Sequence, residues 1–213
     1  MMALPALSQP VFLRFEPYGD RALLAPIAHV DPAHRAALLE YLRAHPSVAD
    51  AMLTEHHALV VPHEAHAFPA EHTVPFADLQ ARESRTFHIG VRWHGADLAE
   101  AADLLKVPAS NLPGLYMAQP YTVSFLGFLP GFAYLRGLPP ALELPRRATV
   151  RPRVPAHALA VGGPYIGIYP EQSPGGWWLL GEAVDVELFV RSGPDAGPLF
   201  RVGDRVTLVE AAT

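Results

Sequence analysis

Between Phe125 and Gly181 the chain interleaves arginines, tyrosines and one histidine with glycines and prolines, at places that no regular helix or strand requires. Arg146, Arg147, Arg151 and Arg153 lie close together in a run broken by Pro145, Pro152 and Pro155. Guanidinium groups at this density repel one another unless an anion or a carboxylate meets them, and their planar donors suit a carboxylate or a phosphoryl group. The prolines forbid a helix and favour an extended chain. Alternation along it places Arg147, Arg151 and Arg153 on one face and Arg146 on the other. Two readings of that face stand: an anion pocket, or an edge strand kept soluble by its charge.

Tyr134, Tyr165 and Tyr169 lie beside glycines and offer hydroxyls to a small polar ligand. The glycines admit two readings as well. Ser173-Pro174-Gly175-Gly176-Trp177 fits a tight turn, with Pro174 second and Gly175 third at positive φ, either shaping a site or simply closing a hairpin. Phe128-Leu129-Pro130-Gly131-Phe132-Ala133-Tyr134 reads as a core strand ending in a turn or as a ligand loop. His56-His57, His63, His66 and His72 cluster without carboxylates at ligand spacing, so exposed histidines are expected there and no metal site.

These residues need elements to hold them. Val11–Phe15 and Arg21–Ile27 read as strands around a Glu16–Asp20 turn. Asp31 caps a helix that opens with Pro32 and ends at Pro46. Strands follow at Val48–Thr54 and Ala58–Val61, and a sheet covered by helix would bury Leu23, Leu39, Leu42, Met52 and Val60. A proline- and histidine-containing stretch, 62–84, carries a short helix over Phe76–Glu83 and then a domain boundary. Beyond it come a strand at Thr86–Trp93 and a helix at Asp97–Lys106, with Leu98, Ala101, Ala102 and Leu105 on one face. From Tyr121 onward short strands between Gly/Pro turns predict a barrel or sandwich.

Composition narrows the function. The chain has 213 residues, half of them hydrophobic, and a formal net charge of −5 with scattered basic residues, which argues against nucleic acid as a partner. It has no cysteine, which excludes a thiol nucleophile and thiolate metal sites. Lys106 is the sole lysine. The G-x-x-x-x-G-K-[ST] and G-x-S-x-G motifs are absent, which removes the standard nucleotide-phosphate loop and weakens a serine hydrolase. No apolar stretch approaches the ~20 residues of a membrane span, and the start lacks a signal-peptide pattern, so a soluble cytoplasmic protein is expected.

The motifs G-F-L-P-G-F-x-Y-L, P-R-R-A-x-x-R-x-x-V-P-A, G-I-Y-P and S-P-G-G-W, in this order, resemble the family of the 5-oxoprolinase B subunit. That family is also called KipI-like or allophanate hydrolase subunit 1. The likeness extends weakly to Tyr18–Leu24 and to the closing Gly203-Asp204-Arg205-Val206. It implies an α+β protein: a small N-terminal α+β domain, 1–84, and a cyclophilin-like β-barrel domain, 85–213. It implies a non-autonomous subunit that acts with a KipA-like C subunit and a LamB/YcsF-like A subunit, converting 5-oxoproline to glutamate with ATP. The alternative it implies is a KipI-like regulator that binds a KipA-like partner and inhibits a sensor histidine kinase. On the matching motifs, the resemblance suggests Arg146, Arg151 and Arg153 for anion or substrate contacts. Tyr134 and Tyr169 are its catalytic or orienting candidates, with Pro130, Gly131, Gly167, Pro174, Gly175 and Gly176 shaping the loops.

Five positions depart from the family pattern. Tyr116 stands where a histidine is usual. The family's P-A-G-S is Pro155-Ala156-His157-Ala158, and its G-x-Q-T-G is Gly163-Pro164-Tyr165-Ile166-Gly167. These changes predict a retained frame with an altered chemical lining, and His157 as a replacement base.

Overall fold

The computed structural model describes residues 9–64, 67–80 and 83–212. His66 and residues 81–82 of the helix expected over 76–83 lie outside the described residues. The chain divides into two compact units, residues 1–83 and 84–213.

In the first unit the strands are β1 Val11–Arg14, β2 Glu16–Tyr18, β3 Ala22–Pro26, β4 Val48–Leu53, β5 His57–Pro62 and β6 Glu71–Val74, with helix α1 at Arg35–Ala44. β2, β3, β5 and β4 form an antiparallel sheet in that order, and β1 pairs with β6. The expected turn over Glu16–Asp20 is shorter than predicted: Glu16–Tyr18 is itself a strand paired with Ala22–Leu24, and the reversal is confined to the residues around Gly19. Asp31 caps as its type requires, its carboxylate accepting from the Ala33 N–H at 2.8 Å, and Pro32 opens a short 3-10 turn that leads into α1. Leu42 and Val60 are fully buried while Leu23 and Leu39 pack partly against them. Met52 departs from expectation at 47% exposed, because alternation along β4 turns Ala51 and Leu53 inward.

The second unit is built from β7 Thr86–Arg92, α2 Leu98–Leu105, α3 Leu112–Met117, β8 Tyr121–Leu126, β9 Ala133–Arg136, β10 Arg151–Val154, β11 Ala158–Gly162, β12 Tyr165–Ile168, β13 Ser173–Gly175, β14 Trp178–Ala183, β15 Phe189–Val190, β16 Gly197–Pro198 and β17 Arg205–Glu210. Seven of these close a barrel in the order β11-β12-β9-β8-β17-β7-β14. The fold is thus α+β with few helices, as the motifs implied. Its first and last strands pair in parallel, from Arg205 opposite Thr86 to Glu210 opposite Val91. Asp204, 4% exposed, fastens that seam by accepting from the Arg85 guanidinium and from the Arg201 N–H. The Gly203-Asp204-Arg205 close is therefore a structural clasp.

Alternation sorts the side chains of the barrel wall into two layers. Val91, Leu135, Leu159, Val161, Ile166, Ile168, Trp178 and Leu180 fill the interior, and α2 and α3 contribute Ala101, Ala102, Leu112 and Tyr116 to the same core. The intervening residues Tyr134, Ala158, Ala160 and Leu179 belong to a second cluster on the outer face, with Phe132, Val154, Tyr169 and Trp177. β11 is buried at all five positions as a result. The two-stranded β10–β13 ribbon lies over this outer cluster through Val154. Lys106 ends α2 in the left-handed conformation, φ 58°, and is exposed, rather than forming part of the helical face.

Candidate functional site

The outer face of the barrel is lined with rings. Phe125 and Tyr134 stack at 4.1 Å between centroids, with Tyr165 edge-on to both. Phe132 stands edge-on to Tyr134, Tyr169 and Trp177 at 5.0–5.5 Å. Arg136 lies over the Tyr165 ring at 5.1 Å. Two loop glycines fit this layer closely. Gly131 has φ +85°, and a Cβ there would sit 2.7 Å from the Leu188 carbonyl oxygen, so the Leu129–Phe132 turn accepts no side chain at this point. Gly167 lies beneath Phe132, where a Cβ would come within 2.8 Å of the ring. Pro130 is exposed on the same loop.

The Ser173–Gly176 segment corrects the sequence expectation. Ser173–Gly175 is strand β13, and neither Gly175 nor Gly176 has positive φ. Gly175 is needed for space: a Cβ there would overlap the Tyr169 hydroxyl and come within 3.0 Å of Val154. Pro174 is exposed between them, on the edge position that tolerates a missing N–H.

The arginines separate into two groups. Asp97, 2% exposed, accepts from Arg147 at 3.1 Å through Oδ1 and from Arg151 on the same oxygen, while its Oδ2 accepts the Leu179 N–H at 2.8 Å. Glu100 takes a second bond from Arg147 at 3.0 Å, and that guanidinium lies 4.4 Å from the Trp178 ring centroid. Two cations meet two carboxylates, and the cluster is neutral. The predicted common face of Arg147, Arg151 and Arg153 fails at Arg153. Arg151 pairs with Gly175 and Val154 with Ser173, so three steps on one strand oppose two on the other, and the bulge turns Arg153 out to solvent. Sequence reasoning missed Asp97, which stands at the start of α2 like a helix cap but makes no capping bond. The signal was indirect: an arginine run of this density requires acid partners, and the start of α2 supplies Asp97 and Glu100.

Arg146 goes the other way. The Arg147 N–H bonds the Gly176 carbonyl at 2.9 Å and Trp178 Nε1 bonds the Pro145 carbonyl at 2.6 Å, so 145–147 runs beside 176–178. With Arg147 on the Trp178 side, alternation leaves Arg146 on the side of Trp177 and the outer rings. Arg146 is exposed, and no carboxylate among the described residues pairs with it. Burial pushes the Tyr169 hydroxyl up to about 12 and Tyr134 upward as well, each opposed by the Arg146 charge. Both hydroxyls therefore stay protonated near neutrality and are available as hydrogen-bond donors.

Tyr116 sits apart from this chemistry, and His157 meets it through its backbone. His157 has φ +63°, its N–H donates to the Tyr169 carbonyl at 2.7 Å and its carbonyl accepts from Ala183 at 2.8 Å. The glycine that the resemblance places at this position would meet the same backbone demand. Tyr116 is fully buried in the barrel core, its hydroxyl donating to the Leu142 carbonyl at 2.9 Å, and burial raises its pKa strongly. It lies in the inner layer, not with Tyr134 and Tyr169. Ile166 is likewise interior, whereas Tyr165 adds a ring to the outer face and Ala158 lies beneath it. Of the five departures, two, Tyr116 and Ile166, are packing changes inside the wall. No group of three or more His, Asp or Glu among the described residues could hold a metal ion, and no described helix is long and apolar enough to cross a membrane.

Residues 9–197 match the family of the carboxyltransferase domain, subdomain C and D. The chain is 42% identical over 130 residues to the 5-oxoprolinase B subunit of Escherichia coli O157:H7, covering 60% of this chain and 59% of that one. It is 45% identical over 87 residues to the 5-oxoprolinase B subunit of Haemophilus influenzae, covering 41% of each. The crystal structure of TTHA0988 superposes with a TM-score of 0.74 at 35% identity, over 91% of this chain and 40% of the other. The matches thus span less than two thirds of these relatives' lengths. Together with the barrel and its motifs, they show that the chain belongs to the carboxyltransferase subdomain C and D family that includes the 5-oxoprolinase B subunits.

Proposed function

We propose that the chain is the B subunit of an ATP-dependent 5-oxoprolinase that opens 5-oxoproline to L-glutamate together with an A subunit of LamB/YcsF-like type and a C subunit of KipA-like type. One observation beyond the family match supports a non-autonomous role. The polar groups on the outer face are donors, namely the Tyr134 and Tyr169 hydroxyls and Arg146, while the carboxylates Asp97 and Glu100 are consumed by Arg147 and Arg151. Such a face holds and orients a carbonyl or carboxylate; it does not activate water. A lactam amide is resonance-stabilised and its nitrogen leaves poorly, so the face needs an activating partner.

ATP belongs to the complex in this reading. Lys106 is an exposed helix-end residue and Arg147 and Arg151 are already neutralised, so these residues do not fit a phosphate cradle. The test is reconstitution. The purified chain with ATP and 5-oxoproline should release no glutamate, and adding the A and C subunits should restore release. Glutamate formation by the chain alone, or an A–C pair equally active without it, overturns the proposal.

A further inference from the structure

We infer that the outer aromatic face is a binding site for a small ring-bearing carboxylate, with Arg146 taking the carboxylate and the surface from Phe128 to Tyr134 and Tyr169 taking the ring. This deepens the proposed function and rests on it only for the identity of the ring.

The first support is the Phe128 loop. Phe128 has φ +73°, a conformation that costs a bulky residue about 1–2 kcal/mol, and its ring is still 56% exposed. A strained residue held out to solvent needs a reason, because neither burial nor turn geometry rewards a phenylalanine there. The loop is rigid: Gly127 N–H bonds the Phe132 carbonyl at 3.1 Å, Phe132 N–H bonds the Leu129 carbonyl at 3.0 Å, and Gly131 is wedged against Leu188. The exposed ring stands edge-on to Phe132 at 5.4 Å and to Tyr169 at 6.1 Å, so it forms one wall above the aromatic floor.

The second support is charge. Of four neighbouring arginines, two are neutralised at Asp97 and one is turned to solvent by the strand bulge. Arg146 remains a cation without a carboxylate partner among the described residues, on the Trp177 side, and its field reaches both the Tyr134 and Tyr169 hydroxyls. Trp177 itself contacts Tyr134 at 5.6 Å, which joins Arg146's side of the 145–147 segment to the stacked Phe125–Tyr134 pair. A cation, two hydroxyl donors and flat apolar walls match an anion joined to a compact ring. A phosphate without an apolar body would leave the walls unused, and an apolar ring without a charge would leave Arg146 unmet.

The test is calorimetric titration of the full chain with 5-oxoproline, benzoate and pyrrolidin-2-one, the last lacking a carboxylate. Wild type should bind a ring carboxylate at least tenfold more tightly than pyrrolidin-2-one. Arg146→Gln should lose at least tenfold for the carboxylate with an unchanged melting temperature, since the residue is exposed and has no carboxylate partner to lose. Tyr134→Phe should lose less. Arg146→Gln with unchanged carboxylate affinity, or no binding of either carboxylate by wild type, overturns the inference; so does an equal loss on Arg153→Gln. Benzoate binding that depends on Arg146 without any 5-oxoproline binding keeps the carboxylate site and removes the lactam reading. A reconstituted complex that turns over 5-oxoproline equally well with Arg146→Gln keeps the proposed function and removes the site.

Discussion

Arg146 and Arg147 are adjacent in sequence and opposite in circumstance. Arg147 points to the start of α2, where Asp97 and Glu100 neutralise it and Trp178 supports its flat face; Arg146 lies on the side of the aromatic face, where its charge acts on the Tyr134 and Tyr169 hydroxyls and no carboxylate among the described residues pairs with it. The first arrangement fastens the segment leading into β10 to the start of α2, and the second leaves a charge to be met by something else. The same residue type does either task, and its partners decide which.

The sharpest way to break this comparison is at Asp97. Its two oxygens hold two guanidinium groups and one backbone N–H, so Asp97→Ala strands Arg151 and the Leu179 N–H in a nearly closed environment. Removing one partner from such a cluster costs about 3–5 kcal/mol, measured as a shift of the urea midpoint at constant slope. If Asp97 were an ordinary surface cap the loss would be about 1 kcal/mol, and the division of the arginines into fastening and binding groups would fall.

The next largest effect is expected at Gly175. An added methyl would overlap the Tyr169 hydroxyl, and overpacking of this kind costs about 1–3 kcal/mol. The loss should shrink in Gly175→Ala/Tyr169→Phe, because the atom met first has been removed. A double-mutant cycle reads the coupling directly. An additive result would mean that the β10–β13 ribbon moves freely over Tyr169 and does not shape the aromatic face.

These two positions also mark how far the sequence could be read. Local rules were legible: Asp31-Pro32 opens a helical segment, Gly19 reverses the chain, and alternation builds the barrel strands. Gly175 was legible only as a requirement for glycine. Its cause was misassigned because Pro-Gly-Gly carries the composition of a turn, whereas the actual constraint is a tyrosine hydroxyl contributed by residue 169. The arginine face was half legible, since proline fixes an extended chain but a bulge depends on which strand it meets. Asp97 was illegible for the same reason: an ion pair spanning about 50 residues leaves no local pattern. Tyr116 was grouped with the site by motif position, and only the closed barrel shows that it lies on the inner side of the wall.

The smallest predicted effect falls at His157, and it separates a backbone role from a chemical one. The residue adopts φ +63°, where an L side chain is disfavoured and histidine is among the better tolerated types. His157→Gly should leave stability unchanged or raise it by up to about 1 kcal/mol, because relief of left-handed strain is opposed by the greater freedom of an unfolded glycine. His157→Val, branched at Cβ, should be the less stable of the pair. In the reconstituted complex His157→Gly should keep its rate and the pH profile of wild type. A rate that falls by a hundredfold or more, with a changed pH profile, would restore the imidazole as a general base and extend the working surface from the Arg146 side to the β10–β11 turn.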